Sequence, residues 1–183
     1  MDDEKAKRPR SKPKMSLRYF HLPNDGDRPI VERMWVEHFL KAARFSVQRL
    51  IARKAHEDPP DCEAIVDGAR AGIEATEIIY GGTAASFDHM VKHFEWSRPS
   101  FLARVQSIIA DKDSKQWLGG PYEQRLLVIY TNELYLPRDK VKVWQIGQRF
   151  KTSMFDHVVL GFSYHPDHRK LRPALRLKLE RSS

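Results

Sequence analysis

Apolar and polar positions along this chain change period several times, and each change marks an element. Between residues 29 and 54, Val36, Phe39, Leu40, Ala43, Val47, Leu50 and Ile51 recur at three- and four-residue spacing, which predicts one amphipathic helix over the whole span. After Pro59-Pro60 the pattern shortens to two strands, 61–66 and 72–78, joined through Asp67-Gly68. That dipeptide is a strong signal for a tight hairpin turn. Apolar residues in both strands (Ile65, Val66, Ile73, Ile78) place the hairpin inside a sheet. Gly81-Gly82-Thr83 breaks the chain, and 84–95 reads as a weakly amphipathic helix or loop. Ser97-Arg98-Pro99 is a helix start, and Phe101, Leu102, Val105, Ile108 and Ile109 share one face of a helix running to about Gln116. The unbroken apolar run at 125–131 is typical of a buried central strand, and reaching it through a helix predicts parallel pairing with the strand before. Residues 140–150 read as a helix, and 155–164 and 174–179 as strands, the last with one apolar and one basic face as on a sheet edge. The class expected is α/β, a central mixed β-sheet flanked by helices.

Two carboxylates break the hairpin's pattern. Asp61 and Glu74 stand where interior strands favour apolar side chains, and a buried acid is costly unless it is paired or holds a cation. Pairing across the turn brings Asp61 near Glu74 and Thr76. Two hard oxygen ligands of this kind suit Mg²⁺ or Mn²⁺, and with no cation present they repel one another. On the first helix, Glu32 projects at the same angle as Leu50, inside the apolar stripe, whereas Glu37 lies off it. Glu32 therefore points inward, or simply occupies a first turn where negative charge is favourable. On the helix after the hairpin, Lys112 follows Ile108 by four and continues the apolar stripe, with Lys115 at its solvent-facing edge.

Pro60-Asp61, the short hairpin and Ile73-Glu74-Ala75-Thr76 together resemble the active-site signature of the PD-(D/E)XK nuclease superfamily, the restriction-endonuclease-like fold. The resemblance implies a metal set of Asp61 and Glu74, joined by Glu32 from the first helix, binding Mg²⁺ or Mn²⁺. It also implies a Lys two residues after the Glu that positions or activates the attacking water. Thr76 occupies that position here. In the superfamily this Lys can migrate to a neighbouring helix, which makes Lys112 and Lys115 candidates to replace it. The signature spans about two dozen residues, and a solvated hairpin carrying acids is the plainer alternative.

Charge adds a partner. The chain of 183 residues has a net charge of +8, which favours an anionic ligand. Residues 1–14 carry Lys5, Lys7, Arg8, Arg10, Lys12 and Lys14 with little apolar content, so they read as a disordered basic arm ahead of one α/β domain at 15–183. Nucleic acid, DNA ahead of RNA, is expected to meet Arg8, Arg10, Lys12 and Lys14 of the arm and Arg169, Lys170, Arg172, Arg176 and Lys178 near the other end; plain solubility is the competing reading of both tails. No apolar run suits a membrane span and no signal peptide is read at the start. A single cysteine, Cys62, excludes an internal disulfide and fits a cytoplasmic location. Oligomerisation stays open.

The function expected is a metal-dependent nuclease cleaving phosphodiesters, and the alternative is an inactive nuclease-like module that binds nucleic acid or protein. Weaker ideas are a nucleophilic Cys62 served by His56, and a metal pair at His165 and His168 that a polar turn explains equally well. No internal repeat, phosphate loop or dinucleotide fingerprint is present.

Overall fold

The computed structural model describes residues 28–54, 57, 59–79, 96–133, 136–163 and 173–182. In chain order the elements are α1 (Arg28–Ala42), β1 (Val47–Ala52), β2 (Cys62–Val66), β3 (Ala69–Glu77), α2 (Arg98–Asp113), β4 (Gln124–Thr131), α3 (Arg138–Trp144), β5 (Phe150–Thr152), β6 (His157–Phe162), β7 (Ala174–Arg176) and β8 (Leu179–Arg181). Among the described residues, six strands form a mixed sheet in the order β1-β2-β3-β4-β6-β7, and β5 pairs with β8 in a small parallel sheet. The first three strands are an antiparallel meander, and the connections bearing α2 and α3 leave β3, β4 and β6 parallel. The class is α/β, as the alternation of patterns predicts.

The hairpin closes where the sequence places it. Val66 pairs with Ala69, leaving Asp67 (φ 48°) and Gly68 (φ 89°) as a two-residue loop, and both positive values match the turn that suits the twist of the flanking strands. The sheet has two apolar faces. Val36, Phe39 and Leu40 of α1 cover the face carrying Cys62, Ala64, Ile73, Ala75, Leu126 and Val128. Phe101, Val105 and Ile109 of α2 cover the other, with Leu127, Ile129, Val158 and Leu160. Strand alternation therefore sends Glu74 and Thr76 toward α2.

Three expectations need correction. The helix predicted over 29–54 stops at Ala42, and a strand follows it. The stop is a left-handed cap: Arg44 has φ 66°, its N–H donates to the Lys41 carbonyl at 3.0 Å, and the Phe45 N–H donates to the Leu40 carbonyl at 3.0 Å. β1 then carries a one-residue bulge at Arg49 (φ 52°), because Gln48 faces Ile65 while Ile51 faces Glu63. The bulge resets the two-residue alternation, so Val47 and Leu50, three apart, both lean on the same core. That spacing is what imitates a helix.

The helix predicted over 140–150 ends at Trp144, the chain reverses at Gly147 (φ 75°), and Phe150–Thr152 is a strand. The strand predicted over 174–179 is divided. β7 is the edge of the main sheet, while the next residues leave it so that β8 can pair with β5; the Leu177 N–H donates to Val158 and the Lys178 carbonyl accepts from Phe150.

Candidate metal and phosphate site

Glu74 lies in the middle of β3 with Ala75 and Thr76 after it, and its side chain is only 2% exposed. The cation that meets it comes from α2. That helix begins at Ser97, whose side chain accepts from the Ser100 N–H at 3.3 Å, with a proline in its first turn, and it packs Phe101, Val105, Ile108 and Ile109 against the sheet. Lys112, one turn beyond Ile108, is thereby pointed at β3. Its ammonium donates to Glu74 Oε1 with the side chain 13% exposed. Lys115, beyond the helix end, is 42% exposed and 3.9 Å from the same oxygen.

Asp61 joins them from the start of β2. Its Oδ2 accepts the Ala75 N–H at 2.7 Å, which fixes the carboxylate beside the backbone that follows Glu74. Burial works against a charged Lys112, but the hydrogen bond and charge of Glu74, assisted by the charge of Asp61, prevail, and the lysine is held above its ordinary value. The repulsion expected between two carboxylates is thus offset within the protein by an ammonium.

Thr76 is half-buried on the same face of β3 as Glu74. Glu32 is half-buried on α1, four residues ahead of Val36, over the opposite face of the sheet; its charge, with those of Asp61 and Glu74, is felt by the Cys62 thiol. Asp61, Glu74, Lys112 and Lys115 are therefore gathered on one side of the sheet and Glu32 approaches the hairpin from the other. Among the described residues, no three His, Cys, Asp or Glu side chains converge to cage a metal. The donor set that fits a hard cation is Asp61 with Glu74, a small one, as suits an ion such as Mg²⁺ that keeps waters and takes substrate phosphate oxygens as further ligands.

Cys62 is fully buried, and burial followed by the neighbouring carboxylates pushes its thiol up to about 12. Burial and a raised pKa both work against a thiolate nucleophile at this position. His56, His165, His168, the residues at 84–95, and Arg8, Arg10, Lys12, Lys14, Arg169, Lys170 and Arg172 lie outside the described residues. Of the basic residues expected to contact nucleic acid, Arg176 and Lys178 are described. The Arg176 guanidinium stacks on Phe45 at 3.6 Å and its Nε donates to the Ala43 carbonyl at 2.8 Å, so its charge clasps the end of α1. Arg176 belongs to the far edge of the sheet, since β3 and β7 are three strand spacings apart, roughly 14 Å, whereas Lys178 lies beyond β7, its carbonyl accepting from the Phe150 N–H of β5.

A second polar cluster, not anticipated from the sequence, borders the site. Glu63, two residues after Asp61 and so on its face of β2, accepts from Tyr122 Oη at 2.6 Å and from Arg70 at 3.0 Å, with Arg53 at 3.2 Å. Burial opposes its charge, yet the hydrogen bonds from Tyr122 and Arg70 hold the carboxyl below its usual range. Arg53 also donates to the Leu118 carbonyl at 2.6 Å, tying the loop after α2 to the hairpin. Trp117 on that loop lies against Gly72, where a Cβ would come within 2.5 Å of the indole. The one signal in the sequence is that Asp61, Glu63 and Ile65 share a strand face, so Glu63 is a further inward acid; its cations come from segments distant in sequence.

No helix among the described residues is long and apolar enough to cross a membrane. No family model, curated protein or solved structure matches this chain.

Proposed function

We propose that this chain is a metal-dependent nuclease of restriction-endonuclease-like fold, hydrolysing phosphodiester bonds of nucleic acid, DNA ahead of RNA, in the cytoplasm. Asp61 and Glu74 would hold the Mg²⁺ or Mn²⁺ ion, with Glu32 near the other side of the hairpin. The observation that carries the reading is the Lys112 ammonium seated on Glu74 within the field of Asp61, a positive charge beside the motif acid of a strand whose Thr76 supplies none. When bound, the ion would lower the pKa of a coordinated water and polarise the phosphate.

The chain's own residues would do the rest. The Ala75 N–H orients Asp61. Lys112, within hydrogen-bond reach of Glu74, would set positive charge against the oxygens of the reacting phosphate. Lys115, more exposed and near the same carboxylate, is placed to meet an incoming phosphate first.

The test is incubation of plasmid, linear and single-stranded DNA and of RNA with Mg²⁺ or Mn²⁺, beside Asp61→Ala and Lys112→Ala. Cleavage that requires metal and is lost in both variants is expected. Retained binding without cleavage by the parent protein would replace the nuclease with an inactive nucleic-acid-binding module, the reading that Thr76 favours.

A further inference from the structure

Resting on that reading, Lys112 has a second consequence, which concerns how the site is loaded. Glu74 is nearly inaccessible, on an interior strand between β2 and β4, and Lys112 Nζ is bonded to its Oε1. A divalent cation and an ammonium close to one carboxylate repel each other, and Lys115 at 3.9 Å adds to the repulsion. We propose that Lys112 is a built-in counter-ion which competes with the metal for Glu74 and yields when a substrate phosphate takes over its ammonium, so that nucleic acid and metal each strengthen the other's binding.

Three features of the molecule favour this exchange. Lys112 sits in the last turn of α2, two residues before the cap at Ser114, on a flexible four-carbon stem, so its ammonium can leave Glu74 without moving the helix. Asp61 is fixed by a backbone N–H and keeps its place while the lysine departs. Lys115 marks the direction in which a phosphate would draw the charge, since it is the more exposed of the two and stands at the same carboxylate. A coupling of this kind is reciprocal by linkage and typically amounts to roughly 5- to 150-fold in affinity.

The experiment is calorimetric titration of the full chain with Mn²⁺, for the parent protein, Lys112→Met and Lys112→Gln, each with and without a phosphorothioate DNA duplex that resists cleavage. Circular dichroism establishes which variants are folded. Without DNA, the folded Lys112 variants are expected to bind Mn²⁺ at least about 5-fold more tightly than the parent. The duplex should tighten Mn²⁺ binding in the parent and do so less in the variants. Mn²⁺ bound by the parent but equally or more weakly by the variants would overturn the counter-ion and leave the metal site standing. Absence of Mn²⁺ binding in all three proteins, with or without DNA, would overturn both. Should neither variant fold, the parent alone decides: an Mn²⁺ affinity unmoved by the duplex refutes the exchange.

Discussion

The Lys112–Glu74 pair makes an asymmetric prediction about stability. Lys112→Met leaves a carboxylate whose side chain is 2% exposed, with Lys115 at 3.9 Å as a remaining but more exposed cation, and removing one partner of a buried pair costs about 3 to 5 kcal/mol. Glu74→Gln instead leaves an ammonium that is 13% exposed on a long stem, which can turn outward and be hydrated, so its cost should be that of a lost buried hydrogen bond, roughly 1 to 2 kcal/mol. For a chain of this length the first corresponds to a fall in melting temperature of about 6 to 20 °C. The double variant should recover most of what Lys112→Met loses, because neither charge is then buried alone. Urea denaturation of the four proteins at neutral pH, without divalent metal, measures the cycle. Equal losses below about 1 kcal/mol in both single variants would mean the pair behaves as a surface ion pair and that Glu74 reaches water. The pH dependence has a definite sign: the folded pKa of Lys112 is raised, so its contribution is fully present below the ordinary lysine value near 10.4 and is lost as pH rises through the higher folded value.

Three further outcomes are expected at other residues. Gly72→Ala should cost about 1 to 3 kcal/mol in denaturant unfolding, since its Cβ would meet Trp117 at 2.5 Å and Pro60 at 3.2 Å; an unchanged midpoint would show that the Trp117 loop gives way freely. Cys62, buried and pushed up to about 12, should resist a thiol reagent at pH 8 in the native protein and react in denaturant; fast native reaction would reopen the nucleophile reading. Removing residues 1–14, which hold six Lys and Arg (Lys5, Lys7, Arg8, Arg10, Lys12, Lys14), should leave thermal stability unchanged and reduce the slope of log affinity for DNA against log salt by roughly 0.7 to 0.9 for every phosphate the arm neutralises; an unchanged slope would mark the arm as a solubility tail.

The interior strands are the most legible part of the fold. β3, β4 and β6 keep one rule along their length, and the Asp67-Gly68 loop is both a local preference and the observed turn, so pattern and packing coincide there. Legibility fails where a local event changes the rule without announcing itself. Arg44 takes a left-handed conformation that usually advertises itself as glycine, and the Arg49 bulge converts strand spacing into helix-like spacing. The stretch 29–54 thereby imitates one element while forming two. Gly147 does announce the end of α3, but Val141, Trp144 and Ile146 mask it with a continuing apolar period, although Ile146 is in fact exposed. Along 174–179 the alternation of leucines is real, and what it cannot convey is that successive residues serve two different sheets.

The site divides along the same line. Asp61 and Glu74 are visible as acids out of place on apolar strands, a conflict between residue type and burial that needs only the local pattern. Lys112 is visible through the complementary conflict, a cation continuing an apolar helix face, yet its partner is 38 residues away, and only the packing of Phe101, Val105 and Ile109 on the sheet decides that the two meet. This difference has a physical consequence. A lysine at position 76 would be placed by the strand that also carries Glu74, with its position set by two residues of backbone. Lys112 is placed by a helix, so the charge beside Glu74 depends on how α2 seats against β3 and β4. Glu63 completes the contrast, since its face on β2 can be inferred from alternation with Asp61, whereas Arg53, Arg70 and Tyr122 reach it from β1's end, from the hairpin and from the loop before β4. Glu63 is held by two arginines and a tyrosine, whereas the acids on this face of the hairpin that the proposed cation would recruit, Asp61 and Glu74, are held by a backbone N–H and by a lysine on a flexible stem.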